Sequence, residues 1–570
     1  MRTRTLSIAT LLLLAISVIG RPGWAQTGGT GAISGTVTDP QGAVIAGAQI
    51  RVANLETGET RVVESSSSGT FVVPLLPPGV YGVQVSRTGF MLASFPKVRV
   101  NTTETVALNA SLAVGAISEQ ITVEAGAQQL QTETSALGRV TSSEMVAGLP
   151  LVARNYTQIL GLNAGTTSNL NDATTLGRGG ALSTIAGTAG TSVQGAAIND
   201  NNFQLDGVNA NDIQSTGNFS GGIAIPNPDT IQEFKVQTGL YDASYGRNAG
   251  ANVNVVTKAG SNQYHGSAWE FLRNEDLNAN SFFGNQAGQP RPELRQNQYG
   301  FTLGGPVIKD KILMFGSYQG TKQINGVGSS CSSNFREPPL TDDRSRAALG
   351  KLFTGQKSYA QTTAGVGPGV LPDGSNISPQ AFALMNLKFP NGQYVIPTPQ
   401  RIDPTQPFAT QGFSAVSDPC TFSENQYMTN GDYYLTPSSK LAFRYFAARS
   451  NSDTTLPSTN IGGPPAPGWP VLNPQQFYNA SIKYTQTITP HLLNELQVGY
   501  HRMHSFTVQT EAFQYADIGA TVPVYDDNPR GTGRLAASRA RDARAEAEPR
   551  TRARRDRCRP RVRHRGSWSD

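Results

Sequence analysis

Along much of the chain apolar residues recur at every second position in short segments, the period of a β-strand with two unlike faces. From 478 to 488 the even positions carry Tyr478, Ala480, Ile482, Tyr484, Gln486 and Ile488, and the odd ones Asn479, Ser481, Lys483, Thr485 and Thr487. Leu441, Phe443 and Tyr445 alternate with Lys440, Ala442 and Arg444 in the same way. So do Leu496, Val498 and Tyr500 with Glu495, Gln497 and His501, and Tyr299, Phe301 and Leu303 repeat the pattern. Residues 245–271, YGRNAGANVNVVTKAGSNQYHGSAWEF, set two alternating segments around Lys-Ala-Gly-Ser-Asn, which predicts either a hairpin or a junction between two β domains. Alternation does not name its solvent: a soluble sandwich buries the apolar face, whereas a membrane barrel turns it to lipid.

A second pattern lies nearer the amino terminus. Between 31 and 113 Ile33, Gly35, Val37, Ile50 and Val52 alternate, and Asp-Pro-Gln-Gly, Glu-Thr-Gly and Pro-Pro-Gly punctuate at short intervals. Short strands at regular spacing predict a small sandwich of roughly 80 residues. Composition agrees, with 60 Gly and 35 Pro among 570 residues and 15% charged, a balance suited to many strands and polar turns. Before the sandwich, Arg2 and Arg4 precede an uncharged run from Thr5 to Gly20, and Gly23 and Ala25 flank Trp24. That is a secretory signal, residues 1–25, cut after Ala25; read as an anchor instead, the run is interrupted too early by Arg21 and Pro22.

The net charge of +6 changes the picture only at one end. Residues 531–570 hold thirteen Arg, no Lys and five acids, a balance of +8, which leaves −2 for the first 530. The abrupt shift to Arg without Lys predicts a tail from a non-native reading frame, with a disordered nucleic-acid-binding arm as the alternative. No nucleic-acid partner is expected for the rest.

Four phrases after the sandwich, AISEQITVEA, MVAGLPLVARNYTQILGLNAGTTSNL, FQLDGVNAND and DTIQEFKVQTGLYDASYGRNAGANVNVVTKAGSN, resemble in order and spacing the plug of TonB-dependent outer-membrane receptors. The likeness is in particular to the Oar-like group, and residues 31–113 resemble the carboxypeptidase regulatory-like domain, of transthyretin-like or carbohydrate-binding-like fold, that precedes the plug there. The resemblance implies an all-β dominated chain: signal peptide 1–25, sandwich 26–114, α+β plug 115–262, partial outer-membrane β-barrel 263–530 with a long extracellular loop 322–426, and the tail 531–570. YGRNAGANVNVVTKAGSNQYHGSAWEF then reads as last plug strand, linker and first barrel strand, with Gly246, Gly250 and Gly260 at sharp turns or close approaches to the wall. Trp269 and Phe271 share a face and are candidates for an interfacial aromatic girdle. About a dozen strands are expected from 263–530, at roughly 14 residues per strand and turn, where a plugged barrel of this class needs about 22.

The family implies import of a scarce solute across the outer membrane of a diderm bacterium, with a TonB-type energy-coupling protein and membrane lipid as partners. Siderophore, oligosaccharide and peptide solutes all remain open, small or oligomeric. Glu119, Gln120, Ile121, Thr122, Val123, Glu124 and Ala125 resemble the TonB box, a coupling segment that adds as a strand to a partner sheet; a linker strand is the alternative. Asp206, Gly207, Tyr245, Gly246 and Gly250 match the plug's motif positions. Cys331 and Cys420 can pair in an oxidising compartment, with Cys558 left over.

Enzyme chemistry finds no support. There is no His-x-x-Glu zinc pair despite the regulatory domain's name, no Gly-x-Ser-x-Gly elbow and no phosphate-cradling loop, and His501 and His504 fall on opposite faces of a strand. No catalytic residue, metal or cofactor is expected. The competing class is a secreted carbohydrate-binding or adhesion β protein without a barrel.

Overall fold

A computed structural model describes residues 29–519, apart from 116–119, 123–135, 150, 152–153, 170–189, 198–199, 212–224, 242–244, 246–248, 287–289, 328–330, 358–366, 390–391, 457–469, 491, 506–507 and 510–514. The expected signal peptide and the Arg-rich tail lie outside these residues.

The first block is the expected sandwich. One sheet places β1 (Gly31–Thr38) between β4 (Thr70–Leu76) and β7 (Thr105–Ala107), with β8 (Ala110–Ser111) also on β1. The other runs β3 (Thr60–Glu64), β2 (Gln49–Asn54), β5 (Gly79–Ser86), β6 (Leu92–Val100) and β9 (Gln120–Thr122). Alternation drives the packing: Ile50 and Val52 of β2 and Val83 and Val85 of β5 are buried against Ile33, Val37, Phe71 and Val73 of the facing sheet. The Asp-Pro-Gln-Gly signal forms its turn, with Asp39 Oδ1 accepting from the amides of Gln41 and Ala43 and Gly42 at φ +87°.

The plug is a mixed five-stranded sheet. Its order is β10 (Leu137–Ser142), β15 (Ile231–Gly239), β16 (Asn252–Thr257), β13 (Asn202–Leu205), β14 (Val208–Asn209), with β13 and β16 parallel. A small hairpin of β11 (Thr166–Asn169) and β12 (Gly190–Val193) stands beside it. A short helix at Ser143–Gly148 and a 3-10 turn at Tyr156–Leu162 bring Val146, Tyr156, Ile159 and Leu160 over Phe203, Phe234 and Val253, which gives the expected α+β character.

Seven long strands follow, each antiparallel to the next in chain order: β17 (His265–Asn274), β18 (Leu294–Ile308), β19 (Ile312–Asn325), β23 (Cys420–Thr436), β24 (Ser439–Thr454), β25 (Val471–Thr489) and β26 (Leu492–Ser505). A short β27 (Val508–Gln509) pairs with β25. Among the described residues seven long strands stand where about a dozen were expected over 263–530, because these strands are longer than the estimate assumed, reaching 19 residues in β25. The long insertion is also shorter than 322–426: β19 runs to Asn325 and β23 starts at Cys420, and between them β20 (Ser332–Glu337), β22 (Gly412–Ser417) and β21 (Arg401–Ile402) form a separate three-stranded sheet. Two helices in the insertion, Arg346–Leu352 and Pro379–Asn386, are capped by Ser345 and Ser378.

The two faces of the long strands decide the solvent. Gln296, Gln298, Gln319, Thr321, Gln323, Asn430, Asn479 and Ser481 are buried, while Phe301, Leu303, Ile482, Leu496, Val498 and Tyr500 are exposed; Gln298 is 2% exposed and Val498 67%. A soluble sandwich has the opposite arrangement. Polar inside and apolar outside is the pattern of a strand wall facing lipid. No helix among the described residues is long and apolar enough to cross a membrane.

β16 pairs only within the plug and β17 only with β18, so the two segments of residues 245–271 form a junction between domains and not a hairpin. At the linker, a Cβ on Gly260 would fall 2.6 Å from the Met314 carbonyl oxygen of β19, so glycine permits the close approach to the wall. At Gly250 the close neighbours are Asp200 and Asn201 of the plug itself, not the wall. Trp269 and Phe271 depart from the girdle expectation. They lie opposite Gly300 and Gln298 in register, on the inward face, and outward aromatics come instead from Phe301, Tyr318 and Tyr427, aligned across β18, β19 and β23.

Candidate functional site

Polar residues are gathered where sandwich, plug and wall meet. Asp206 and Gly207 form the turn between β13 and β14, both at positive φ, +51° and +80°. The Asp206 carboxylate accepts from the Thr257 amide at 2.9 Å and its hydroxyl at 2.8 Å, tying the turn to the end of β16. Burial pushes the Asp206 carboxyl up, and the charge of Arg444 and the Thr257 bonds oppose that. Gln497 of β26 donates to the Asp206 carbonyl at 2.9 Å, and Asn430 of β23 donates to Thr257 Oγ1 and the Lys258 carbonyl, both at 2.8 Å. The motif therefore seats the plug sheet on two separate strands of the wall.

One layer further on, charges are gathered inside. Asp432 of β23 pairs with Arg444 at 2.6 Å and Lys440 at 3.0 Å, both on the inward face of β24. Lys440 also pairs at 3.3 Å with Glu59 of the sandwich, which Arg61 holds at 3.0 Å. Glu59 thus carries the sandwich to the end of the wall where the connections β18–β19 and β23–β24 are short. Asn262 of the linker strengthens this junction: its amide donates to the Glu56 carbonyl at 3.0 Å and its side chain to the Thr57 carbonyl at 2.8 Å. A second junction joins sandwich and plug, where Glu233 of β15 accepts from the Thr102 amide and Lys235 donates to the Thr103 carbonyl at 3.1 Å. Burial pushes the Glu233 carboxyl up to about 7 and pulls the Lys235 ammonium down.

Arg154, at φ +48°, anchors the other side of the plug. It pairs with Asp229, donates to Gln319 of β19 at 2.8 Å, and its guanidinium lies 4.8 Å from each ring of Trp269 and Phe271. Strand register turns those two aromatics inward, and there a cation over their faces replaces the lipid interface.

Of the sequence-predicted residues, Asp206 and Gly207 meet the wall as described, and Tyr245 is buried and packs edge-on with Tyr241, centroids 6.5 Å apart. Gly250 donates its amide to the Asp200 carbonyl at 2.8 Å. Gly246 lies outside the described residues, as do Glu119, Val123, Glu124 and Ala125. Gln120, Ile121 and Thr122 form β9, parallel to β6, with Leu92, Ala93 and Ser94 as partners. Cys331 and Cys420 are joined as a disulfide at the base of the insertion. Among the described residues no group of three His, Cys, Asp or Glu is arranged to hold a metal ion. Sequence reasoning missed Glu59, Arg154, Glu233, Asp432, Lys440 and Arg444. For Lys440 and Arg444 the signal was present, since both occupy inward positions of an alternating strand.

Two family models match the chain. The outer membrane beta barrel domain matches residues 256–547, and the carboxypeptidase regulatory-like domain matches 32–113. The barrel match runs 17 residues past 530. The TonB-dependent transporter Oar of Myxococcus xanthus is 27% identical over 319 residues, 52% of this chain and 28% of that protein. Among solved structures, the outer membrane transporter YddB from Escherichia coli aligns at 11% identity and TM-score 0.38, covering 65% of this chain and 39% of that one. The siderophore receptor PirA from Acinetobacter baumannii aligns at 12% identity and TM-score 0.31, covering 65% and 48%. The chain spans less than half the length of each of these proteins.

Proposed function

Because this chain belongs to the outer membrane β-barrel family, a family of the outer membrane and not of enzymes, we propose that it is the front part of a TonB-dependent receptor that binds a scarce solute outside and admits it past the plug. The observation that carries this is the inverted strand wall, apolar outward and polar inward, laid against a plug that it holds through Asn430, Gln497 and Gln319. A plug that fills a lumen must move for anything to pass. Residues 119–125 are the coupling segment through which a periplasmic energy-coupling protein pulls on it, and Arg154, Trp269 and Phe271 belong to the polar and aromatic lining a solute meets. Sugars, peptides and siderophores stay equally eligible as solutes.

The wall also supports the reading as a portion of a longer receptor. Among the described residues β17 and β26 each have one unpaired edge, and in lipid every unpaired backbone group costs several kcal/mol. Further strands from the receptor's remaining sequence close the barrel, and the Arg-rich residues after 547, where the barrel match ends, come from another frame. The test has two arms. Sequencing the locus across codons 520 to 570 should give an open frame that continues in alternating strands. Expression of the chain as it stands, with its signal, should yield a species that starts at Gln26 and is degraded or aggregated in the periplasm. A stable outer-membrane species ending at Asp570, migrating faster unheated than heated, would overturn the partial-barrel reading; a soluble secreted product would overturn the barrel altogether.

A further inference from the structure

The two ends of the strand wall differ in their connections. The insertion between β19 and β23 leaves and returns at one end, as do the connections β17–β18 and β24–β25, whereas β18–β19, β23–β24 and β25–β26 turn tightly at the other. In outer-membrane barrels long connections lie outside the cell and short turns in the periplasm, so the end with the insertion reaches the outer leaflet. Tyr478 of β25 points outward ten residues from Ile488. At about 3.3 Å per residue and a tilt of about 40° the two stand about 25 Å apart in height, the thickness of a barrel's apolar band. Tyr478 therefore marks the outer rim of that band.

Two arginines flank it. Arg502 of β26 is its direct partner across the strands, and Arg449 of β24 stands one outward row higher, opposite Gln476. Arg449 Nε donates to the Tyr478 hydroxyl at 3.1 Å, its guanidinium lies 5.9 Å from the ring, and the hydroxyl donates to Gln476 Oε1 at 3.3 Å. Both arginines are exposed, and among the described residues neither forms an ion pair. No Asp or Glu occupies an outward position of β25 or β26, and the nearest on β24 is Asp453, four residues above Arg449. Below the arginines, the small side chain of Ala480 stands between Tyr445 and Tyr500, and exposed Ile482 and Val498 continue the apolar surface downward. Cations without carboxylates above a cleft between two rings complement an amphiphile with an anionic head and a hydrocarbon tail.

We propose that Arg449, Arg502 and Tyr478 form a headgroup site for a phosphate-bearing lipid of the outer leaflet, with the cleft at Ala480 taking an acyl chain. The proposal rests on the reading of these strands as a wall in the outer membrane. A guanidinium suits the task because its planar fork holds phosphate oxygens two at a time. With Nε engaged by Tyr478, the two Nη groups of Arg449 remain for the phosphate, and Arg502 approaches it from the other side of the same ring. Arg295 makes the contrast: it is exposed on β18 but held by Glu275 at 3.3 Å, so its charge is already answered by the protein.

The test uses the membrane-inserted receptor in the form that the locus encodes, purified in a neutral detergent. Phosphatidate is the probe and phosphatidylcholine the comparison, and retained lipid is counted by native mass spectrometry across a titration. Arg449→Gln or Arg502→Gln should weaken phosphatidate binding about fivefold and the double variant about thirtyfold, the loss of one and of two cations at a lipid surface. Arg295→Gln should leave it unchanged, and phosphatidylcholine should bind the unmodified receptor about thirtyfold more weakly than phosphatidate. Inorganic phosphate, which has no tail for the cleft, should not displace the lipid. Equal retention by the double variant, equal binding of the two lipids, or full displacement by inorganic phosphate overturns the site while leaving the wall reading intact. Should the double variant fail to insert, Ala480→Trp decides, because it fills the cleft and keeps both arginines: a several-fold loss of phosphatidate supports the site, and unchanged binding overturns it. A receptor that never enters the membrane fraction overturns the wall reading itself, and the proposal with it.

Discussion

Glu233 is a carboxyl placed where water does not reach, and its behaviour with pH follows from that placement. Its ordinary value is 4.5, and burial raises it to about 7 in the folded protein. A carboxyl that holds its proton more tightly when folded adds stability below pH 4.5, and the increment is lost as pH climbs from 4.5 through 7. A shift of this size corresponds to on the order of 3 kcal/mol at the sandwich–plug contact. The Thr102 and Thr103 amides should therefore exchange faster at pH 7.5 than the ordinary chemistry of exchange predicts from pH 5, and Glu233→Gln should remove the excess. An unchanged profile in the variant would show that another group sets the response. Gly207 answers to backbone geometry instead. At φ +80° and with Gln497 Oε1 3.1 Å from where a Cβ would stand, Gly207→Val should cost about 1–2 kcal/mol from the left-handed backbone alone.

At the level of the element, β25 shows how one strand serves two solvents. Ile482 is exposed on the lipid face, whereas Lys483, one residue on, points inward and pairs with Glu495 of β26 at 3.2 Å. A charge is accepted on one parity and excluded on the other. Ile482→Arg should lower the stability of the membrane-inserted barrel by about 2–4 kcal/mol if the position lies near the bilayer midplane, and less toward the interfaces. The measurement is urea-driven unfolding of the closed, full-length receptor in vesicles; a cost below that of Ile482→Ala would place the residue away from lipid. The same parity explains Trp269 and Phe271. Two aromatics on one face of a strand fit a girdle or a lumen equally well, and the register with Gln298 and Gly300 put them inside.

Across the whole of the described chain, three domains are joined by polar contacts, and the Glu59–Lys440–Asp432–Arg444 set is one that reaches from sandwich to wall. Glu59→Ala leaves Asp432 with both of its cations, so the strand wall should keep its stability, while Lys440 and Arg61 lose a buried partner at a cost of about 1–3 kcal/mol. Limited proteolysis should then cut the linkers around the sandwich several-fold faster, with unchanged protection of the strand wall. Equal rates in the two proteins would show that Asn262 and Glu233 hold the sandwich without it.

The sequence by itself determined the blocks and their order, because short-range patterns carry them: the Asp39 turn, the alternation of Ile50 and Val52, the Asp206–Gly207 turn and the period-two strands from β18 to β26 are each written within a few residues. It also determined which residues share a face, since parity along a strand needs no partner. Which face meets lipid was decided only in three dimensions, where Gln298 and Asn479 were found buried and Val498 and Ile482 exposed. The same holds for Arg154 over Trp269 and Phe271, for Glu59 beside Lys440, and for Gln120–Thr122 on β6. These contacts join residues from separate blocks of the chain, and no local pattern encodes a neighbour that arrives from more than a hundred residues away or from the edge of another sheet.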